Sequence, residues 1–75
     1  MKFTGSVKQA AWAQKILAAS NLTREQVENL LRWAGPEAAA RGVMDAEIVI
    51  QNRDGLASYA DALGRMYAAR AARQH

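Results

Sequence analysis

The chain has 75 residues, ten Lys/Arg against seven Asp/Glu, no cysteine and a single histidine at its last position. A domain of this size buries roughly 60% of the surface its unfolded form exposes, so only a modest core is available to it. Without cysteine there is no disulfide framework and no thiolate zinc site, and no apolar run nears the ~20 residues that cross a bilayer.

Alanine, arginine, leucine and glutamine dominate, with one proline and few β-branched residues, a composition that favours helix almost throughout. The first predicted helix covers 6–20. Ser6 followed by Gln9 forms a capping box, in which the serine oxygen accepts from the third helical amide and the glutamine reaches back. At 100° per residue, Trp12, Ile16, Gln9, Ala13, Leu17 and Ala10 fall on one arc of about 160°, which marks the buried face and places Trp12 in the core. Lys8 and Lys15, seven apart, share a second face and have no structural task.

The second predicted helix, 23–34, opens on another box, Thr23 with Gln26, and Leu22 and Val27 occupy the positions of a hydrophobic staple. Val27, Leu30, Leu31 and Ala34 keep helical spacing. Arg24, Glu28 and Arg32 form two i, i+4 pairs, each worth a few tenths of a kcal/mol. Gly35 stops this helix and Pro36 suits the first turn of the next.

Residues 36–53 read as a third helix, in one piece or broken at Gly42, with Asp45 as a cap. The run Ile48-Val49-Ile50 suits a short strand as well as a helix. With no second strand-like run to pair with, helix is the expectation. The fourth helix, about 55–72, carries a stripe of Leu56, Tyr59, Ala60, Leu63, Met66 and Tyr67, and Asp61 and Arg65 are set to pair outward. Arg70 interrupts the stripe, and the alanine-rich end that follows should overhang the core, with His75 disordered. Four amphipathic segments without repeat or linker imply an all-α fold, a single-domain bundle of three to four helices over 1–75.

Charge is unevenly spread: +4 over residues 1–24, −4 over 25–61, which hold every acid, and +3 over 62–75. Either the basic ends fold onto the acidic middle and neutralise it, or they form a basic surface for nucleic acid or an acidic protein.

The opening Thr4, Gly5, Ser6, Lys8, Gln9, Trp12, Ala13 and Ile16 resembles a pattern of small bacterial and phage proteins of unknown function, Thr-Gly-Ser-x-Lys-Gln-x-x-Trp-Ala-x-x-Ile. That pattern is often followed much later by Ala-Lys-Trp-Trp-Ile-Asp-x-Arg, of which Ala46 and Arg53 match the ends. Val7 stands where an acid is common, and "IVIQ" replaces the region of the paired tryptophans. The resemblance covers about a third of the chain. It implies a local architecture and no chemistry, because the family has no assigned activity.

No enzyme chemistry is legible. There is no glycine-rich phosphate loop, no histidine–carboxylate metal set and no nucleophile with a base; Glu25 with Glu28, and Asp45 with Glu47, are explained by the helix dipole. The expectation is a cytoplasmic, non-catalytic protein without cofactor or metal. The favoured class is a protein-binding module, in its most concrete form a phage or mobile-element inhibitor of a host protein or nucleoprotein complex, in the style of an anti-CRISPR protein. Its candidate contact residues are Lys8, Lys15, Trp33, Arg65, Arg70 and Arg73, with Met44 beside the Gly42 break. The alternative is a small DNA-binding protein. It would use a helix-turn-helix around Gly35-Pro36, with Glu37, Ala38 and Arg41 toward the groove, or a basic face shared by the first and last helices. Pairing of two copies through the last helix is compatible with both.

Overall fold

The computed structural model describes residues 1–73, so the expectation for His75 lies outside the described residues. In chain order it contains β1 (Lys2–Thr4), α1 (Val7–Ala19), α2 (Arg24–Trp33), α3 (Pro36–Ala40), β2 (Val43–Asp45), α4 (Ala46–Gln51), a 3₁₀ turn over Arg53–Gly55 and α5 (Leu56–Arg73). The fold is mainly helical, but it is not a plain three- to four-helix bundle. A two-stranded parallel sheet pairs Lys2 with Val43, Phe3 with Met44 and Thr4 with Asp45.

Parallel strands need a long crossover between them, and α1, α2 and α3 supply it. A strand partner does exist, contrary to the expectation from sequence: it is Lys2–Thr4, paired with Val43–Asp45 and not with the Ile48-Val49-Ile50 run. Phe3 is half-buried against the core, and Lys2 N–H donates to Gly42 C=O at 3.3 Å. The β-branched Ile48-Val49-Ile50 run is helical, capped by Asp45, whose Oδ1 accepts from Glu47 N–H at 2.9 Å. The chain breaks at Gly42, and Met44 enters the sheet fully buried. It is a core residue, not the surface contact expected beside that break.

Both capping boxes form. Ser6 Oγ accepts from Gln9 N–H at 3.1 Å and Gln9 Oε1 from Ser6 N–H at 3.0 Å; Thr23 and Gln26 repeat this at 3.2 and 2.9 Å. Gly5, at φ +97°, makes room for the first box, since a Cβ there would stand 2.6 Å from Gln9 Oε1. Leu30, Met44 and Val49 are the large side chains wholly shut from solvent, with Ala13, Ala46, Ala60, Leu56, Ile48 and Leu63 around them.

Trp12 is not in that core. It is 48% exposed. Buried Ala13 marks the inward direction of α1, and Trp12 sits about 100° of helical rotation from it, at the end of the expected arc.

The helices pack in two pairs, α1 on α4 and α2 on α5. The second pair meets at Asn29 and Gly64. Asn29, nearly buried, donates from Nδ2 to the Ala60 carbonyl at 3.1 Å, and a Cβ on Gly64 would lie 2.6 Å from that same nitrogen. Beyond this contact α5 runs on with Ala68–Arg73 all exposed, consistent with extents of 42 × 24 × 19 Å.

Gly64 therefore gives a test of packing against propensity. Alanine in an exposed helix gains about 1 kcal/mol over glycine, but Gly64→Ala should lose about 1–3 kcal/mol, because Asn29 must give up its place and its hydrogen bond. Gly55→Ala, whose Cβ would meet nothing within 4 Å, should be neutral or slightly stabilising. Thermal unfolding followed by circular dichroism reads both; a higher midpoint for Gly64→Ala would show that α5 does not approach α2 closely there.

Candidate functional site

Two groups of partly exposed aromatic and basic side chains stand out. The first lies along the seam of α2 and α5. Trp33, the last residue of α2, is 43% exposed and meets half-buried Tyr59 edge to face, with ring centroids 6.4 Å apart and planes at 64°. Its neighbour Arg32 places its guanidinium 4.2 Å from the centre of the Tyr67 ring, a cation–π contact worth about 0.5–1 kcal/mol at an exposed site. Tyr59 and Tyr67 are eight residues apart, about 12 Å along α5, so the two consecutive α2 residues grip α5 at two points. Gln26 Nε2 ties the same helices by donating to Asp61 Oδ1 at 3.1 Å.

Two expected ion pairs give way to these contacts: Arg32 turns to Tyr67 instead of Glu28, and Asp61 accepts from Gln26 instead of meeting Arg65. The Tyr67 hydroxyl is shut from solvent and finds no hydrogen-bond partner among the described residues. Burial pushes its pKa above the ordinary value and Tyr59 adds to this, while Arg32 and Arg70 pull it back.

The second group lies on α1. Lys8, Trp12, Lys15 and Ala19 are all exposed and fall within about 60° of one another around the helix. Arg53, from the 3₁₀ turn, sits over the Trp12 ring at 5.4 Å and is anchored by Nη1 donating to the Ile50 carbonyl at 2.8 Å. Beside it is an open cleft of about 500 Å³ lined by Ile16, Ala19, Ser20 and residues 53–58. Neither β1 nor α1 carries an acid; Asp54 is the carboxylate that lines the cleft.

The six residues expected to make contacts thus divide. Lys8 and Lys15 share the α1 face. Trp33 is on the seam, and Arg65, Arg70 and Arg73 are exposed on the far half of α5, within about 140° of helical rotation. α1 packs chiefly on α4 and α5 chiefly on α2, and the cleft that α1 and α5 share lies at the Leu56–Ser58 start of α5, with none of these arginines in its lining. Arg32, Tyr59, Tyr67, Trp12 and Arg53 are the members that sequence reasoning assigned to other tasks. Their one shared signal is a large ring or guanidinium at the edge of an apolar stripe.

The helix-turn-helix reading meets a second helix of five residues, and Arg41 is engaged by Glu37 at 2.9 Å. The ion pairs among the described residues, Arg24–Glu28 and Glu37–Arg41, are both local i, i+4 pairs. Only Arg24, the last residue of the basic first segment, reaches an acid of the middle, and among the described residues Lys2, Lys8, Lys15, Arg65, Arg70 and Arg73 pair with none. No three His, Cys, Asp or Glu side chains among the described residues gather as a metal site would require, and none of the described helices is long and apolar enough to cross a membrane. No protein-family model, curated protein or solved structure matches the chain.

The unpaired phenol gives the seam a signature. An unfolded tyrosine ionises near pH 10, whereas folded Tyr67 resists ionisation. Its contribution to stability is therefore complete below about pH 10 and is lost as pH rises through the higher folded value. Tyr67→Phe should be neutral or stabilising near pH 7, since it removes a buried hydroxyl without a partner, and should flatten the alkaline loss. Denaturant midpoints across this range check both; a large loss near neutrality would mean that the hydroxyl is hydrogen-bonded.

Proposed function

We propose that the chain is a non-catalytic protein-binding module that uses the α2–α5 seam. The observation that carries this reading is the pair of linked contacts Trp33–Tyr59 and Arg32–Tyr67, which leave rings and a guanidinium partly open on one surface. Trp, Tyr and Arg are the residue types that most often dominate protein interfaces, and here they are already held by packing, so little ordering entropy is lost on binding. Arg70 and Arg73 extend the surface along the overhanging end of α5 and favour an acidic rim on the partner. An inhibitor of a host complex carried by a mobile element is the narrower form of the same proposal. Duplex DNA recognition has less to stand on, since a five-residue α3 holding Arg41 against Glu37 is a poor reading helix.

The test is quantitative capture from a lysate of the source organism. A specific protein should co-purify with the wild-type chain. Trp33→Ala, and separately Arg70→Ala with Arg73→Ala, should each weaken capture about tenfold or more. The arginine pair, exposed and in no ion pair among the described residues, should leave the thermal midpoint nearly unchanged, whereas Trp33→Ala also gives up the Tyr59 contact and should lower it by several degrees. Undiminished capture by both variants would remove the seam from the interface. Binding of duplex DNA that falls steeply between about 50 and 200 mM salt, with no protein captured, would replace this reading with the nucleic-acid one.

A further inference from the structure

The second surface suggests a separate activity that shares no residue with the seam. We propose that the outward face of α1, formed by Lys8, Trp12 and Lys15 together with Arg53, binds single-stranded nucleic acid, with one base on the Trp12 indole and the adjoining phosphates on the lysines.

The argument begins with a ring in an unusual place. A tryptophan in a domain this small is normally drawn toward the core, yet Trp12 is 48% exposed on a helix whose inward side is held by Ala13. Arg53, fixed to the Ile50 carbonyl, stands over the ring at 5.4 Å and holds a positive charge against it, while about half of the Trp12 surface stays open to solvent. Lys8 lies one turn before Trp12 and Lys15 just under one turn after it, about 10 Å apart along the axis, so two mobile cations bracket the ring.

This is the minimal equipment of a sequence-tolerant single-strand site: an aromatic platform that accepts any base, and cations that track the backbone. An acidic protein would also be drawn to the charge, but it needs an apolar contact area. Within the arc of α1 that holds Lys8, Trp12 and Lys15 the exposed apolar residue beside the ring is Ala19, while exposed Val7, Ala11 and Ala18 lie about 100–140° around the helix from Trp12. The adjacent cleft, with Ile16, Leu56 and Ser58 in its lining, offers room for the next base. Asp54 is the one opposing charge there. A duplex fits poorly, because its bases are stacked on one another and unavailable to the ring.

The probe is a fluorescently labelled twelve-nucleotide oligo-dT. Trp12 and Trp33 are the only tryptophans, so a Trp33→Phe background makes Trp12 the sole indole reporter. Saturable anisotropy change with quenching of Trp12 is expected, with an affinity that falls with salt at a log–log slope near −2, as three neutralised phosphates imply. Trp12→Ala should weaken binding about 5- to 100-fold and Trp12→Phe much less. Lys8→Ala with Lys15→Ala should bring the slope toward about −0.7, and Asp54→Asn should tighten binding. Circular dichroism of each variant confirms the fold. No binding of oligo-dT at 50 mM salt would overturn the proposal. So would binding indifferent to Trp12→Ala, equal affinity for a duplex of the same length, or quenching by poly-L-glutamate that matches that by oligo-dT. The last result would assign the face to acidic proteins. The anisotropy arm is repeated with wild-type Trp33, so that the seam is intact when binding by the α1 face is scored, and the seam's own test reads protein capture, which none of these outcomes replaces.

Discussion

The short parallel ladder between Lys2–Thr4 and Val43–Asp45 sets the geometry of half the molecule. Each strand runs straight into a helix cap. Thr4 leads through Gly5 to the Ser6 box, and Asp45, paired with Thr4, is itself the cap of α4. The register therefore places two helix starts side by side, and α1 and α4 leave the sheet together and pack on one another. That packing brings Trp12 on α1 within reach of Arg53, which follows α4. A slip of one residue would reverse which side chains face the core, sending Met44 toward solvent and separating the caps.

Core size explains where the large rings go. The fully buried large side chains are one leucine, one methionine and one valine, and alanines fill much of the remainder. A centre built from such small pieces cannot enclose two indoles. Trp12 and Trp33 both end half out, and each is steadied by a neighbour, Arg53 for one and Tyr59 for the other. Close approach of α5 to α2 at Gly64 has the same cause. With little apolar area to bury, the helices gain contact by removing a side chain at the crossing, and Asn29 fills the space with a hydrogen bond.

The elements that could be read from sequence are those whose signals are local. Both capping boxes, the end of α1 near Ser20, the Gly35-Pro36 junction and the stripe of α5 follow from neighbours three or four residues away. The sheet was hidden because its determinants are not local. Three residues of β1 show no usable alternation, and their partner lies some forty positions on. Val43-Met44-Asp45 carries less strand propensity than the Ile48-Val49-Ile50 run beside it, yet Asp45 capping and burial of Ile48 and Val49 make that run helical. For the site, Trp33 and the α5 arginines were legible as surplus to the core. Trp12 was not, because a helical arc drawn from hydrophobicity does not say which of its edges a short neighbour such as α4 can cover. Arg32 was obscured by an apparent partner, Glu28, which pairs with Arg24.

Charge layout connects the two surfaces. Most of the acids are occupied at helix starts: Asp45 caps α4, and Glu25, Glu37 and Glu47 lie in first turns where the dipole favours them; Asp61 of α5 accepts instead from Gln26 of α2. The positive ends find no such use. Among the described residues, Lys8, Lys15, Arg65, Arg70 and Arg73 take part in no ion pair, and Arg32 and Arg53 rest on aromatic rings. A guanidinium over a ring keeps its charge and most of its donors available, whereas one paired to a carboxylate does not. The two stacked arginines thus serve the fold and still present positive charge outward, one on the seam and one on the α1 face. If both proposals hold, a partner containing protein and single-stranded nucleic acid would meet a matching feature on each surface.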